Sequence, residues 1–391
     1  DSLSMATDWK EGRNLESVIS PLSLIISAFA PIEDISLAVT PQIIVKEKTE
    51  LLFIDLAKGS KRLGGSIVAQ INNILAGNTP DVECVKEMPL FVKCIHQLLQ
   101  EKKILSYHDR SDGGLLTTIT EMAFAGRVGV DITLDKILSD EDDSIGTLLN
   151  EELGVVIQID TKERDSVMRC FQKTGLSGFI YSIGTLNDQK KINLIKDKRV
   201  ITSWSLKELL EQWSRVSFEM QSLRDNPATA KEEFLSDIDV DRQGLSPKLT
   251  FSIPKVLDVS KSKPLLAVLR EQGVNGQVEM AAAFDRVGFS CVDVHMTDLI
   301  NKKYQLNDFS GMVACGGFSY GDVLGAGGGW ATNILHNEAL KNQFSDFFLN
   351  ESNFTLGVCN GCQTLALLSS LIPGSDGWPN FIRNTSEKFE S

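Results

Sequence analysis

Residues 355–368 read TLGVCNGCQTLALL. An apolar run meets the pattern Gly-x-Cys-x-Gly at 357–361, and CQTLALLSSLI continues beyond it at helical spacing. The stretch therefore predicts a strand, a tight turn and a helix. Such a turn lifts the side chain at its centre, Cys359, clear of the sheet, and glycines on either side relieve the crowding. Cys359 would then sit at a helix N-terminus, where the dipole favours a thiolate. The backbone N–H of Asn360 would point at an oxyanion formed beside it. Cys362, one turn further on, is expected to face inward and pack. A redox Cys-x-x-Cys belongs early in its domain, whereas this pair follows at least three strands. A zinc site needs two more ligands, and no second Cys-x-x-Cys or His-x-x-x-His exists. Two buried, inert cysteines remain the rival reading, but they leave the two glycines unexplained.

Upstream, the rhythm from Pro264 onward is strict alternation: PLLAVLR strand, VEMAAAFDRVGF helix, SCVDVHM strand, a short helix, GMVACGG strand, a long helix, then TLGVC strand. This predicts a parallel α/β sandwich with its functional groups at the carboxyl ends of the strands. MVAC at 312–315 ends in Gly316-Gly317, which lets a backbone N–H approach a reacting carbonyl, as an oxyanion hole requires. A thiolate nucleophile also needs a base. The histidines, at 96, 108, 295 and 336, all precede Cys359, so either His295 or His336 serves or the base lies beyond residue 391.

The chain as a whole has 391 residues, 42% of them apolar, enough for two or three domains with cores of their own. Lys and Arg total 39 against 52 Asp and Glu, a net charge of −13, which argues against a nucleic-acid partner. The longest apolar stretch, PLSLIISAFAPI at 21–32, is broken by Ser and Pro and falls short of the roughly 20 residues of a membrane span. Seven cysteines, an odd number at no disulfide-framework spacing, read as a reducing cytoplasm. The chain opens on Asp and closes without a stop signal, as a piece of something longer would.

The N-terminal part mixes its elements. ELLFIDL at 50–56 predicts a strand and KRLGGSIVAQINNIL a glycine turn and helix; a helix over about 90–105 buries Leu90, Phe91, Cys94, Ile95, Leu98 and Leu99. The run LLTTITEMAFAG predicts another helix, VGVDITL a strand, and two helix-to-strand units follow, with Gly154 and Gly175 as helix ends. A hairpin-like KINLIKDKRVI completes an α+β domain near residue 202. Residues 204–225 predict a helix stopped by Asn226-Pro227, and the acidic, aperiodic stretch over about 228–261 predicts a linker. Within this part, HDRSDGG at 108–114 sets Asp109 and Asp112 beside Ser111 and a glycine pair that opens a helix, a combination suited to magnesium and a nucleotide phosphate. An N-cap at Asp112 is the plainer reading of that residue alone.

The runs LAVLREQGVNGQVEMAAAFDRVGF (266–289), ACGGFSYGDVLGAG (314–327) and LGVCNGCQ (356–363) closely resemble the glutaminase domain of the large, single-chain phosphoribosylformylglycinamidine synthases. DSLSM (1–5), RLGGSIVAQ (62–70), YHDRSDGGLLTTITEMAFAG (107–126) and NEELGVVIQ (150–158) resemble the second half of their synthetase core, and LRDNP (223–227) their inter-domain segment. The resemblance implies an AIR synthase-like α+β domain followed by a flavodoxin-like class I glutaminase domain cut short. Its boundaries would be 1–48 for the end of a preceding subdomain, 49–202 for the synthetase subdomain, 203–261 for helix and linker, and 262–391 for the glutaminase. It implies the fourth step of purine synthesis, in which glutamine is hydrolysed and ammonia, with ATP and Mg2+, converts formylglycinamide ribonucleotide to its amidine. By this resemblance Cys359 is the nucleophile, Gly317 and Asn360 are oxyanion donors, Asp109 is a magnesium ligand and Ser111 a nucleotide contact. Family triads end in a His and a Glu well downstream of the cysteine, past residue 391, so the chain alone is expected to be a poor glutaminase. Gly328 departs from the family, where a charged residue is usual. A stand-alone cysteine hydrolase using His295 or His336 is the alternative.

Overall fold

The computed structural model describes residues 6–19, 26–74, 76–138, 144–252 and 263–389. DSLSM at 1–5, part of the apolar stretch at 21–32 and the linker from 253 lie outside the described residues. The chain divides into two compact units, 1–243 and 244–391.

In the first unit, β1 (Ala6–Glu11) and β2 (Asn14–Ile19) form an antiparallel hairpin. The main sheet contains β3 (Thr49–Asp55), β4 (Ser106–Asp109), β5 (Gly129–Thr133), β6 (Gly154–Asp160), β7 (Ile180–Asn187), β8 (Lys191–Lys196) and β9 (Arg199–Ser205). Their spatial order is β4-β6-β3-β7-β5-β8-β9, all neighbours antiparallel except β5 and β8. Helices α1 (Ile67–Ile71), α2 (Met88–Gln100), α3 (Gly114–Gly126), α4 (Ser144–Leu149), α5 (Arg164–Phe171), α6 (Leu206–Arg224) and α7 (Pro227–Asp237) complete the unit. The central strand β3 is buried along its whole length because both faces of the sheet are covered. Leu51 and Phe53 point into a core with Leu115, Ile119 and Met122 of α3, while Leu52 and Ile54 point into another with Phe91 and Leu98 of α2 and Phe171 of α5. The two-residue alternation of β3 thus feeds two cores from one strand.

Three expectations change here. Gly154 is the first residue of β6, not a helix end. Cys94 and Cys170, 76 residues apart in sequence, face each other between α2 and α5 with Cα atoms 5.9 Å apart, within the span of a disulfide that their scattered spacing did not suggest. The stretch from 228 also does not begin as a linker. Asn226 caps Ala228 N–H, Pro227 takes the first helical position, and α7 runs to Asp237 against α6 with the rings of Phe218 and Phe234 4.5 Å apart. The helix is stabilised by that tertiary contact, which periodicity within 227–237 could not reveal.

The second unit holds β10 (Leu265–Arg270), β11 (Ser290–His295), β12 (Gly311–Ala314) and β13 (Phe354–Gly357), all parallel, in the order β11-β10-β12-β13. With them are α8 (Gln277–Arg286), α9 (Met296–Ile300), α10 (Gly328–His336), α11 (Glu338–Leu349) and α12 (Asn360–Leu367). Ala267, Leu269, Met312 and Ala314 pack with Trp330 and Ile334 of α10, Phe344 of α11 and Leu365 of α12; Leu266, Val268 and Val313 face α8 on the other side. The long helix expected between β12 and β13 is two helices. Asn337 adopts an extended conformation between them, and its side chain accepts from Leu340 N–H to cap the second. Among the described residues no helix is long and apolar enough to cross a membrane.

Candidate functional site

Cys359 occupies the turn between β13 and α12, with φ 52° and ψ −115°. A non-glycine residue in that region stores roughly 1–3 kcal/mol of strain, which the surroundings must hold in place. Val358 N–H donates to Ala314 O (3.0 Å), Gly361 N–H to Val358 O (2.9 Å) and Gln363 N–H to Cys359 O (3.1 Å), fixing the turn from both sides. Both elbow glycines are required by contact rather than by flexibility. A Cβ at Gly361 would lie 2.0 Å from Ala314 O, and one at Gly357 would lie 2.7 Å from Leu365 Cδ1 and 2.8 Å from Cys362 Cα.

Cys359 is exposed, and its side chain lies against the double-glycine bend: a Cβ at Gly316 would sit 3.3 Å from Cys359 Cβ and 4.0 Å from its Sγ. The neighbouring thiol of Cys315 is fully buried, and burial pushes it up to about 12, so it is inert. Cys362 is also exposed, not packed inward as its helical position suggested, because Gly361, Thr364, Leu365 and Leu368 form the buried face of this segment. A cavity of about 550 Å³ opens in front of Cys359, lined among others by Asn275, Glu279, Met280, Gly316, Gly317 and Phe318. Gly317, at φ 141°, pairs with Val274, and its N–H and that of Asn360 take no part in the backbone hydrogen bonds of the fold. The Asn360 side chain has a task that the sequence did not suggest. Its Oδ1 accepts from Ser319 N–H (3.3 Å) and its Nδ2 donates to Asp322 Oδ1 (3.1 Å), tying the glycine-rich loop to the helix that carries Cys359.

Neither His295 nor His336 is brought to this cavity. His295 ends β11, three strands from β13, roughly 14 Å across the sheet. Its ring contacts Thr297 Oγ1 (2.9 Å) and Glu271 Oε1 (3.6 Å). His336 closes α10 at its far end, and neither residue lines the cavity.

In the first unit, HDRSDGG forms the end of β4 and the turn into α3. Gly113 (φ 79°) is the N-cap, so Asp112 is not. Gly114 (φ 70°) could not carry a side chain, since a Cβ would lie 2.6 Å from Asn150 O. Arg110 is structural: it is buried, 3.0 Å from Asp55 Oδ1, donates to the carbonyls of Glu152 and Leu153, and stacks over Phe53. Asp109, Ser111 and Asp112 are exposed. Asp109 Oδ1 lies 3.4 Å from His108 Nδ1, and the His108 Nε2 is 2.8 Å from Glu121, whose hydrogen bond raises the imidazole above its ordinary range. The Gly113 N–H donates to Glu151 Oε1 (2.9 Å), which also accepts from Ile67 N–H at the start of α1 (2.8 Å). Among the described residues no three His, Cys, Asp or Glu side chains converge as a metal site. Half-buried Arg62 and buried Glu152 form a second pair nearby. Burial pushes the Glu152 carboxyl up, but hydrogen bonds from Arg62 outweigh it and hold it below the ordinary range.

Residues 263–391 match the family described as CobB/CobQ-like glutamine amidotransferase domain, and residues 56–197 match AIR synthase related protein, C-terminal domain. Among solved structures, Thermotoga maritima PurL complexed with ATP shares 11% identity over 45% of this chain and 27% of its own, with a TM-score of 0.36. PurLQS from the same organism shares 10% over 70% of this chain and 35% of its own, also at 0.36. E. coli HypE, a hydrogenase maturation protein, shares 16% over 43% and 52%, at 0.32. Overlaps this slight do not carry a functional argument. The chain spans about a quarter to a third of the length of the T. maritima chains. It carries an AIR synthase-related domain and a glutamine amidotransferase domain.

Proposed function

We propose that Cys359 is the nucleophile of a glutamine amidotransferase site and that the chain is part of a phosphoribosylformylglycinamidine synthase. The observation that carries this reading is the strained, exposed cysteine at the mouth of a cavity, flanked by the unused N–H groups of Gly317 and Asn360. Cys359 Sγ attacks the side-chain carbonyl of glutamine, and the two N–H groups hold the oxyanion where charge develops. Collapse of that intermediate releases ammonia and leaves a glutamyl thioester, which water hydrolyses to glutamate. The strand order β11-β10-β12-β13 has the form of the first four strands of a flavodoxin-like sheet, supporting the class I assignment. A base from downstream of residue 391, as the resemblance implies, is consistent with the distance of His295 and His336 from the cavity.

The AIR synthase-related match supports an ATP-dependent partner reaction in which formylglycinamide ribonucleotide takes up the ammonia. Asp109 and Ser111 are its proposed magnesium and nucleotide contacts, and when bound the ion would neutralise phosphate charge. The remainder of the same polypeptide and a cytoplasmic setting belong to the same proposal. In the full-length protein, Cys359→Ala should abolish glutamine-dependent turnover and leave ammonia-dependent turnover within about two-fold of the parent. Equal loss with both nitrogen donors would refute the assignment. The stand-alone hydrolase reading gains nothing from the geometry, since neither candidate histidine reaches the cavity.

A further inference from the structure

A second polar cluster lies at the carboxyl ends of β10 and β11, outside the cavity. Glu271, 5% exposed, accepts from Gln272 N–H (2.9 Å) and from Asn333 Nδ2 of α10 (3.2 Å), and His295 Nε2 lies 3.6 Å away. Asn333 Nδ2 also lies 3.4 Å from the Tyr320 hydroxyl, so it bridges the phenol and the carboxylate. Burial, and then the neighbouring Glu271, push that phenol up to about 12, so it stays protonated at any physiological pH. Tyr320 is held in the left-handed region (φ 54°, ψ 31°), and its ring leaves no room for a side chain at Gly329, where a Cβ would lie 2.7 Å from Cδ2. A non-glycine residue in that conformation needs its surroundings to fix it.

The same segment is laced to the chain that follows β10. Asn275 and Gly276 N–H both donate to Gly316 O (3.3 Å each), Phe318 N–H to Gly273 O (2.8 Å) and Tyr320 N–H to Gln272 O (2.9 Å). Gly317 lies between these bonds. We propose that Tyr320, held by Asn333, which also bonds Glu271, is a positioning residue that sets the direction of the Gly317 N–H toward the oxyanion formed at Cys359. Asn360 anchors the loop on the nucleophile's side through Ser319 and Asp322; Tyr320 anchors it on the opposite side. The inference rests on the reading of Cys359 as the nucleophile.

The test is acylation of the 391-residue chain by a γ-glutamyl p-nitrophenyl ester. Attack by Cys359 forms the C–S bond and expels p-nitrophenolate, a leaving group that needs no protonation, so the step depends on the thiolate and the oxyanion donors. Alkylation of Cys359 by iodoacetamide, which forms no oxyanion, is the reference reaction. Tyr320→Phe and Glu271→Gln should each slow acylation at least ten-fold while alkylation stays within two-fold, and Tyr320→Phe should leave the melting temperature unchanged. Unchanged acylation in Tyr320→Phe, or a parallel fall in both reactions, would overturn the inference. Absence of acylation in the parent chain would remove the nucleophile reading and this inference with it.

Discussion

Gly361→Ala is the most revealing single change in the elbow. The added methyl would lie 2.0 Å from Ala314 O, 2.4 Å from Ala314 C and 2.9 Å from Ala314 Cβ. Ordinary carbon–oxygen contact is near 3.3 Å, so α12 and the end of β12 must separate by roughly 1 Å or more. The obstacle is backbone in an inner strand, where no rotamer change can relieve it. Overpacking of this kind costs about 1–3 kcal/mol, and the rigidity here places the change at the upper end, about 3 kcal/mol. For a unit of this size that corresponds to a fall of roughly 6–12 °C in melting temperature. Calorimetry on the chain would measure it, with Gly244→Ala as control, because nothing lies within 4 Å of a Cβ there. The same displacement moves Cys359 away from Gly317, so acylation should fall together with stability. A melting transition of the second unit within 1 °C of the parent would refute the packing argument for the Gly-x-Cys-x-Gly turn.

The first unit offers further tests. Arg110→Met should cost about 3 kcal/mol in guanidinium unfolding, the lower end for breaking a buried pair, because Asp55 keeps hydrogen bonds from Ala57 and Gly59 N–H; a loss below 1 kcal/mol would contradict the structural role of Arg110. His108 has a raised folded-state value through Glu121, so its contribution is complete below the unfolded imidazole range, near pH 6.5, and is lost as pH rises through the folded value. The stability difference between the parent and His108→Asn should shrink from pH 6 to pH 8, and a difference that grows would contradict the pairing. Phe234→Ala removes a stacked ring contact worth about 0.5–1.5 kcal/mol and should open 227–237 to proteolysis, whereas equal cleavage would show that α7 does not depend on Phe218.

Most strands were legible because they are short apolar runs punctuated by glycine, as in ELLFIDL and GMVACGG. The strand, the turn at Cys359 and the helix opening at Asn360 follow the spacing of Gly-x-Cys-x-Gly, because that geometry is local. What escaped the sequence depends on contacts between distant residues. The Cys94–Cys170 pair exists because α2 and α5 share one face of a sheet. The Asn360 side chain looked like the middle of an elbow, yet it is a strut to residues about forty positions earlier. Asn337 divides one apparent helix into two because its side chain caps Leu340, a choice invisible to apolar periodicity. The Glu151 carboxylate, from the turn after α4, reaches the start of α3 and occupies the Gly113 N–H beside the glycine pair.

The claim on which the functional account depends is that Cys359 alone among the thiols is held ready for a glutamine carbonyl. Mass spectrometry after treatment with the γ-glutamyl p-nitrophenyl ester measures this directly. One glutamyl group on the peptide containing Cys359, lost in Cys359→Ser and retained in Cys362→Ser, is the expected result. Acylation that follows Cys362, or a chain left unmodified, would contradict it.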